Sequence, residues 1–481
     1  MKFDPKKLNA LSVRLYGKQI GVINRLAGDR QFFAFEQDYI DDPQRPTLSL
    51  SFKGSTGGLV TNFRPVGRRV PIFFSNLLPE GHLRDYLAKR ADVNPEREFF
   101  LLAVLGADLP GAITVAPLED HERQSGPHHG HDDDSRDGGE EPLRFSLAGV
   151  QLKFSAVMET SGGLTIPADG MGGSWIVKLP SARFVAVPEN EFAMLELARR
   201  VGITVPENKL VDVAGIKGLP KRVHTVGGRA LAVKRFDRLP DGTPVHMEDF
   251  AQVFGEFPHN KYKFHSYANI AAVLWAEIGE DAVLEFVRRL VFSVVIGNAD
   301  MHLKNWSLLY PDQRRPALSP GYDFVATVPY IPDDTLALSF GDSRSLSEIT
   351  PDQMRRFADT ARIPVSPLWP IVAETAERMV NAWEGLEEKE PLPGDMRDAI
   401  GKHILAVAAT IRDNPRQSAA LGRHSSLVKR CRPVRKRMRK LVVLASALAL
   451  CAWRQASREE DGAEQPASDR ETRAVPLDFF W

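Results

Sequence analysis

The sequence lacks several features that would assign it to a class at once. Its 481 residues include two cysteines, Cys431 and Cys451, which argues against a disulfide-built fold and a cysteine-rich zinc site. Its formal net charge is zero, because 62 Lys and Arg residues balance 62 Asp and Glu residues. The overall charge therefore gives no argument for nucleic acid or membrane binding, and any such partner would have to use a local patch.

Long apolar runs and a signal peptide are missing as well. The first residues carry no apolar core of the signal-peptide kind. The longest apolar run, residues 441–453, is shorter than the roughly 20 residues that a membrane-spanning helix needs. We therefore expect a cytoplasmic protein without a membrane partner. The apolar content of 43% is ordinary for a globular protein, and the length allows about two to four domains.

Changes in the hydrophobic pattern divide the chain into five segments. Residues 1–118 predict a small α+β unit, and the acidic, His-rich residues 119–142 predict a disordered linker, with weak metal binding as the alternative. Residues 143–245 are rich in strand patterns and hold one helical pattern, whereas residues 246–423 carry helix-period spacing. Residues 424–481 predict a poorly ordered basic and apolar tail, with contact to an anionic surface or nucleic acid as the alternative.

The segment IGNADMHLKNWS, residues 296–307, has the spacing of a kinase catalytic loop. An apolar helix should end at Gly297 and Asn298, and Asp300 then precedes Asn305 by five residues. Kinase chemistry needs a carboxylate to accept or orient the substrate hydroxyl proton, and an amide oxygen to hold a metal ion on the phosphates. Lys304 between them can neutralise charge that develops on the transferred phosphoryl group.

A second carboxylate, Asp323, follows in the segment LSPGYDFVAT. Its position suits the metal-binding Asp that comes after a catalytic-loop hairpin, for which WSLLY supplies a strand. Taken alone, an Asp in a loop is more often a cap or a turn residue. The order of the two motifs, after a strand-rich segment, favours phosphoryl transfer in a cleft between two lobes.

Motifs further upstream point to the same chemistry. In SLAGVQLKFS, Ala148 and Gly149 predict a turn of small residues where the backbone can approach phosphates closely. In WIVKLP, Lys178 lies within an apolar strand and needs a partner, which could be the nucleotide phosphates together with Glu189 or Glu191. The alternative is an edge strand that points Lys178 to water. LAVKRFDR could supply a backbone hinge that meets an adenine ring.

These motifs together resemble those of the HipA family of toxin kinases. The matching segments are SLAGVQLKFSA, WIVKLP, VKRFDR, HMEDFAQ, IGNADMHLKNWSLLY and SPGYDFVAT, and LYGKQIGVI, LSLSF, FFSNLLPEGHLRDYLAKR and GAITVAP match the N-terminal section. The resemblance covers about residues 10–415. It implies an α+β chain with a bilobed, protein-kinase-like fold. The N-lobe would be rich in strands, the C-lobe helical, and an N-terminal α+β subdomain would be added to them.

The resemblance also implies an activity and partners. Members of the family are serine/threonine protein kinases that use ATP and Mg²⁺, act as the toxins of toxin–antitoxin modules and arrest growth. Their known protein targets include aminoacyl-tRNA synthetases, and a HipB-like helix-turn-helix antitoxin connects them to operator DNA. Two alternatives stay open: a catalytically silent co-repressor that only supports its antitoxin, and a small-molecule kinase.

By the same resemblance, individual residues receive roles. Asp300 is the catalytic base, Asn305 and Asp323 hold Mg²⁺, and Lys178 contacts the phosphates. Ser146 matches a serine whose autophosphorylation switches the kinase off, since a phosphate adds about −1.5 to −2 charges beside the ATP phosphates. The other expected nucleotide contacts are Ala148, Gly149, Val150, Gln151, Leu152 and Lys153 in the phosphate loop, Lys234, Arg235 and Phe236 at the adenine hinge, and His302, Leu303, Lys304 and Tyr322.

Overall fold

A computed structural model describes most of the chain up to residue 414. The described residues are 8–54, 56–118, 152–159, 163–167, 171–181, 183–219 and 227–414. The expected linker, the expected tail, Ser146 and the residues Ala148 to Gln151 lie outside them. Within the described ranges, no helix is both long enough and apolar enough to cross a membrane.

The N-terminal unit, residues 8–118, is a five-stranded antiparallel sheet with four short helices. The strands, in the spatial order β4-β3-β2-β1-β5, are β1 Ala10–Leu15, β2 Lys18–Leu26, β3 Arg30–Phe35, β4 Val66–Gly67 and β5 Ile113–Pro117. The helices are α1 Gln37–Asp41, α2 Ile72–Ser75, α3 Gly81–Arg90 and α4 Glu98–Leu105. Gly17, with φ of 79°, closes the β1–β2 hairpin in a conformation that favours glycine.

The middle of the chain forms a six-stranded sheet with one long helix. In the spatial order β10-β7-β6-β8-β11-β9, its strands are β6 Lys153–Met158, β7 Leu164–Thr165, β8 Trp175–Lys178, β9 Asn208–Asp212, β10 Ile216–Lys217 and β11 Arg229–Lys234. The helix is α5 Val187–Arg200. This is the strand-rich segment holding one helix that the sequence predicted.

The six-stranded sheet is shared between two cores. Along β11, Ala230 and Ala232 belong to the core of the N-terminal unit, whereas Leu231 and Val233 belong to a second core with α5 and the helices that follow. Successive strand residues face opposite sides of a sheet, so a continuous apolar run such as ALAV fills both cores at once.

The remaining residues form a helical lobe around a small sheet. Its strands are β12 His246–Asp249, β13 Ser307–Tyr310 and β14 Ala317–Leu318. Its helices are α6 Phe250–Phe254, α7 Tyr267–Glu277, α8 Glu280–Val295, α9 Pro351–Ala361, α10 Leu368–Glu384 and α11 Gly394–Arg412. The helix-period spacing that the sequence shows in this segment corresponds to the longer helices, α7 to α11.

Local signals explain where these helices begin and end. At the start of α9, the Thr350 side chain caps the backbone of Gln353, which bonds back to Thr350, and Pro351 fits the first turn. The helix α8 ends where Gly297 adopts a left-handed φ of 72°. A Cβ at this glycine would lie 2.7 Å from Val328, so the turn into the following loop requires glycine.

Buried polar contacts join the N-terminal unit to the helical lobe. The Ser49 hydroxyl donates to Glu248 at 2.5 Å, the backbone N–H of Leu50 donates to the same carboxyl at 2.9 Å, and the Tyr310 hydroxyl is a third donor. Burial raises the pKa of Glu248 to about 7. The N-terminal unit is therefore fixed against the helical lobe as well as against the six-stranded sheet.

Candidate active site

A cleft of about 1100 Å³, counting the space open to solvent, lies between the six-stranded sheet and the helical lobe. One wall comes from β6, β8, α5 and β11, and the other from β12, the loop after α8 and the segment before Phe324. The N-terminal unit closes one end through Asn76, Leu77 and Glu80. Its size is of the order expected for a small-molecule site.

Lys178, at the end of β8, is held by two carboxylates within the cleft. Its ammonium lies 2.6 Å from Glu191 of α5 and also forms an ion pair with Asp323. Glu189, the other candidate partner, instead pairs with Arg229 at 3.2 Å. Burial alone would lower the pKa of Lys178, but Asp323 and Glu191 outweigh it, so the net pKa is raised. Lys178 therefore stays charged, and it does not lie at an edge strand facing water.

A second lysine, Lys153, lies directly opposite Lys178 where β6 pairs with β8. It is buried, lines the cleft and has no ion pair with any of the described residues. Burial lowers its pKa to about 8, even though Asp323 acts in the opposite direction. Two ammonium groups thus share the sheet wall of the cleft, a pattern that suits an anionic ligand such as a polyphosphate.

Asp323 occupies an unusual backbone position. Its φ of 54° is left-handed, which costs free energy for a residue with a side chain, and such strain is concentrated at functional sites. The packing of Phe324 against Phe292, with ring centroids 4.9 Å apart, anchors the chain just after it. Burial would raise the pKa of Asp323, but Lys178 and Lys153 outweigh burial and lower it. The carboxylate is therefore ionised and faces the cleft.

Asp300 lies on the loop after α8, beside the cleft lining. The Asn298 side chain accepts a hydrogen bond from its backbone N–H at 3.0 Å, and the Tyr262 hydroxyl donates to its Oδ1 at 2.7 Å. The other oxygen, Oδ2, is buried and has no hydrogen-bond partner within the described residues. Burial raises the pKa of Asp300 to about 7, although Lys261 acts in the opposite direction. A carboxyl with this pKa and one free oxygen can accept a proton near neutral pH.

Asn305 is oriented by the same loop. Its amide nitrogen donates to the backbone oxygen of Asp300 at 2.8 Å, so its Oδ1 is left as an acceptor on the wall of the cleft that Asp323 also lines. No group of three or more His, Cys, Asp or Glu residues that could hold a metal occurs in the described part of the chain. Mg²⁺ commonly takes only one or two carboxylates and completes its shell with phosphates and water. The Asp323 and Asn305 oxygens fit such a site.

Lys304 and His302, between Asp300 and Asn305, are both buried on the cleft wall. The Lys304 ammonium contacts the backbone oxygen of Asn76 at 3.0 Å and Glu80 at 2.9 Å. Neither ring nitrogen of His302 has a hydrogen-bond partner in the part of the chain that the structure describes, and burial lowers the pKa of His302 well below the usual value. An uncharged buried imidazole with two free nitrogens is available to a ligand.

The expected adenine hinge begins at Lys234, the last residue of β11, and its charged side chains form ion pairs with other residues. Lys234 pairs with Glu207 at 3.1 Å, and the Arg235 guanidinium is held by Asp237 at 2.8 Å and Asp108 at 2.9 Å. The ring of Phe236 lies 5.5 Å from that of Tyr322, measured between centroids. Since all three hinge residues line the cleft, Lys234 and Arg235 offer it mainly their backbone, as a hinge would.

Most of the expected site residues that are described meet at this cleft. Three do not line it: Leu152 packs against the core of the N-terminal unit, Leu303 is buried in the core of the helical lobe, and Asp300 lies beside the lining. The structure also adds residues that the sequence did not single out, namely Glu80, Lys261 and Tyr262. The only sequence signal for Glu80 was its Pro-Glu-Gly turn, which predicts a helix start but no charge partner.

The chain matches two domain families and several known proteins. The HipA-like C-terminal domain matches residues 145–383, and the HipA N-terminal domain matches residues 11–116. The chain is 51% identical over 406 residues to a putative kinase, Y4dM, of Sinorhizobium fredii, covering 83% of this chain and 98% of the relative. It is 26% identical over 403 residues to the serine/threonine-protein kinase toxin HipA of Shewanella oneidensis, covering 75% of this chain and 86% of the relative.

A solved structure supports the fold. The Shewanella oneidensis HipA, in its complex with HipB and operator DNA, matches with a TM-score of 0.64 at 22% identity. The match covers 85% of this chain and 99% of that chain. The expected α+β, bilobed, kinase-like architecture with an added N-terminal unit is thus confirmed. The two family matches, the 51% identical relative and the shared fold together show that this chain belongs to the HipA family of kinases.

Proposed function

We propose that the protein is a serine/threonine protein kinase that uses ATP and Mg²⁺ and acts as the toxin of a toxin–antitoxin module. The observation that supports this most strongly is the arrangement of Asp300 and Asp323. The Asp300 carboxyl, beside the cleft lining, has a raised pKa and one oxygen with no partner among the described residues, whereas the Asp323 carboxyl lines the cleft, is ionised and pairs with a buried lysine. Phosphoryl transfer needs one carboxylate of each kind.

In this proposal the residues in and beside the cleft have separate roles in phosphoryl transfer. Asp300 accepts the proton of a Ser or Thr hydroxyl. The hydroxyl oxygen forms a bond to the γ-phosphorus of ATP, and the bond between that phosphorus and the β–γ bridging oxygen breaks, so that ADP leaves. Lys178 and Lys153 hold the phosphates, and Lys304 offsets charge on the transferred group. Asp323 and Asn305 hold Mg²⁺, whose double charge neutralises the phosphates when it is bound.

The remaining assignments also belong to the proposal. Lys234, Arg235 and Phe236 would present the hinge to adenine, with Tyr322 and His302 nearby. The loop from Ala148 to Lys153 would cover the phosphates, and phosphorylation of Ser146 would oppose ATP binding by charge repulsion. The lobes would span residues 143–245 and 246–423.

Partners are proposed from the relative. The Shewanella HipA forms a complex with HipB and operator DNA, which supports a HipB-like helix-turn-helix antitoxin as the partner here, with DNA contacted through it. The substrate would be a protein, with aminoacyl-tRNA synthetases as the first candidates. The silent co-repressor is the second candidate function, but buried Asp300 and His302 atoms with no partner among the described residues favour an enzyme.

The test is transfer of label from γ-labelled ATP with Mg²⁺ to protein in a bacterial lysate. The variant Asp300→Asn removes the base with little change in shape, and Asp333→Asn is a matched control at an exposed aspartate. We expect a labelled protein with the wild type and with Asp333→Asn, and a loss of about 10²–10⁴-fold with Asp300→Asn. Growth arrest on expression should follow the same pattern.

Other outcomes would redirect the assignment. Label that accumulates only on a small molecule would identify a small-molecule kinase. Wild-type protein that binds ATP but transfers no label to anything would favour the co-repressor. Equal labelling by Asp300→Asn would remove the role proposed for that residue.

A further inference from the structure

We propose that Glu80 of the N-terminal unit positions Lys304 and Lys261 at the catalytic loop, so that this unit completes the active site. The inference rests on the proposed kinase function and adds to it a positioning residue from outside the two lobes. Glu80 is the residue immediately before α3, at the Pro-Glu-Gly turn, and it lines the cleft.

The contacts around Glu80 form a bridge between two lysines. One carboxylate oxygen lies 2.9 Å from the Lys304 ammonium, and the other lies 3.0 Å from the Lys261 ammonium. The side chain of Glu80 is 15% exposed, and those of the two lysines are 4% and 5% exposed, so water contributes little to holding them. Buried ion pairs of this kind are geometrically restrictive, because each charge depends on its partner.

The N-terminal unit makes a second contact with Lys304. The backbone oxygen of Asn76, just after α2, accepts a hydrogen bond from the same ammonium at 3.0 Å. Asp249, the remaining carboxylate near it, is 4.0 Å away. Two of the three contacts that orient Lys304 therefore come from residues 76–80, which belong to neither lobe.

Electrostatics supports the bridge that Glu80 forms. Burial would raise the pKa of Glu80, but Lys304 and Lys261 outweigh it and hold that pKa far below its usual value, so the carboxylate is charged. Without this charge the two ammonium groups would lose their shared counter-ion and would repel one another. Lys304 would keep the Asn76 backbone oxygen and, at 4.0 Å, Asp249 as contacts, but Glu80 would no longer hold it in a fixed position relative to Lys261.

The test compares two substitutions of Glu80 in the full-length chain. Glu80→Gln removes the charge, whereas Glu80→Asp keeps the charge and shortens the side chain by one methylene. The control Glu277→Gln breaks the ion pair with Lys53, at 2.7 Å, which also joins the N-terminal unit to the helical lobe but lies outside the cleft. The kcat and the KM for ATP of protein kinase activity and the melting temperature are measured for each variant.

We expect kcat to fall by about tenfold or more in both Glu80 variants, with a smaller change in KM for ATP. The melting temperature of Glu80→Asp should stay near the wild-type value while its kcat falls, since only the geometry of the bridge has changed. Glu277→Gln should retain wild-type kcat. A merely structural role for Glu80 would lower the rate only in step with the melting temperature and would not separate kcat from KM.

Two results would overturn the inference. One is a wild-type kcat in both Glu80 variants, and the other is a loss of rate that only follows the fraction of unfolded protein. If Glu80→Gln fails to fold, Glu80→Asp decides the matter, because the charge balance is preserved. Failure of the proposed function looks different: the wild type would then show no labelling that depends on Asp300.

Discussion

Two buried clusters of charge lie within one fold, and they differ in how completely they are bonded. The hinge cluster consists of Asp108, Arg235, Asp237 and Arg238, with ion pairs of 2.8–3.0 Å. It also satisfies the backbone N–H of Gly111, and none of its buried side-chain N or O atoms lacks a partner within the described ranges. The cleft cluster consists of Lys178, Glu191, Asp300, His302, Lys304 and Asp323. In it, one oxygen each of Asp300 and Glu191 and both His302 nitrogens have no hydrogen-bond partner among the described residues.

This difference indicates a structural role for the hinge cluster and a chemical role for the cleft cluster. A buried charge network in which every atom is satisfied holds its surroundings in one arrangement, and in this fold it fixes the N-terminal unit to the hinge. Unsatisfied buried polar atoms cost free energy, so a folded protein retains them where a ligand completes them. Substitutions in the two clusters should therefore affect different properties.

The largest effect on catalysis is expected from Asp323→Asn in the cleft cluster. The substitution keeps the shape but removes the charge that pairs with Lys178 and is proposed to hold Mg²⁺, so phosphoryl transfer should fall by about 10³-fold. Lys178 keeps Glu191 as a partner, so the loss of unfolding free energy should be small. Initial rates and denaturant unfolding on the same preparation measure both quantities, and near-wild-type activity would contradict the prediction.

The matched change in the hinge cluster, Asp108→Asn, should show the reverse. Asp108 accepts from both Arg235 and Arg238, and breaking a buried ion pair by removing one partner costs about 3–5 kcal/mol of unfolding free energy. The activity of the folded fraction should change much less than with Asp323→Asn, because Asp108 does not line the cleft. Urea unfolding measures the loss of stability, and initial rates corrected for the folded fraction measure the activity. A variant that is stable but inactive would contradict the different roles assigned to the two clusters.

The smallest expected effect is that of pH on activity, about tenfold per pH unit. Asp300 must be ionised to act as a base, and burial raises its pKa to about 7, so kcat/KM should fall tenfold per pH unit below about pH 7.

Burial opposes the ionisation of Asp237 in the hinge cluster, but Arg235 outweighs burial and lowers the pKa of Asp237 to about 2. Its contribution to stability is therefore present above the unfolded value near 3.8 and is lost only as the pH falls toward 2.

The pH experiment therefore has an internal control. The destabilisation caused by Asp108→Asn should be the same at about pH 5.5 and about pH 8, whereas wild-type activity should differ by more than tenfold between them. A flat activity profile over this range would show that the proton acceptor is not a group with a pKa near 7.

Local pattern was enough to predict elements whose signals lie within a few residues. The helices α7 to α11 and the strands β8 and β11 follow from apolar spacing, caps and breakers, and the positions of Lys178, Asp300, Asn305 and Asp323 in the chain imply their convergence. The choice between Glu189 and Glu191 was left open, because it depends on how α5 is rotated against the sheet. Packing decides that rotation.

Contacts between distant segments could not be predicted. Glu80 and Lys304 are 224 positions apart, and Tyr262 lies 38 positions from Asp300. No periodicity in either segment specifies the other as its partner. The left-handed backbone of Asp323 also leaves no trace in SPGYDFVAT, since the surrounding packing imposes it.

The ion pairs of Glu80 also constrain how such genes can be rearranged. A gene that carried only the segment matching the C-terminal domain would encode the cleft with two buried lysines but without the carboxylate that pairs with both of them. Recombination that separates the two segments would therefore damage both halves, and a duplicated kinase segment could not diverge alone. The N-terminal and C-terminal segments should be inherited together, with substitutions at Glu80 and at the two lysines occurring in concert.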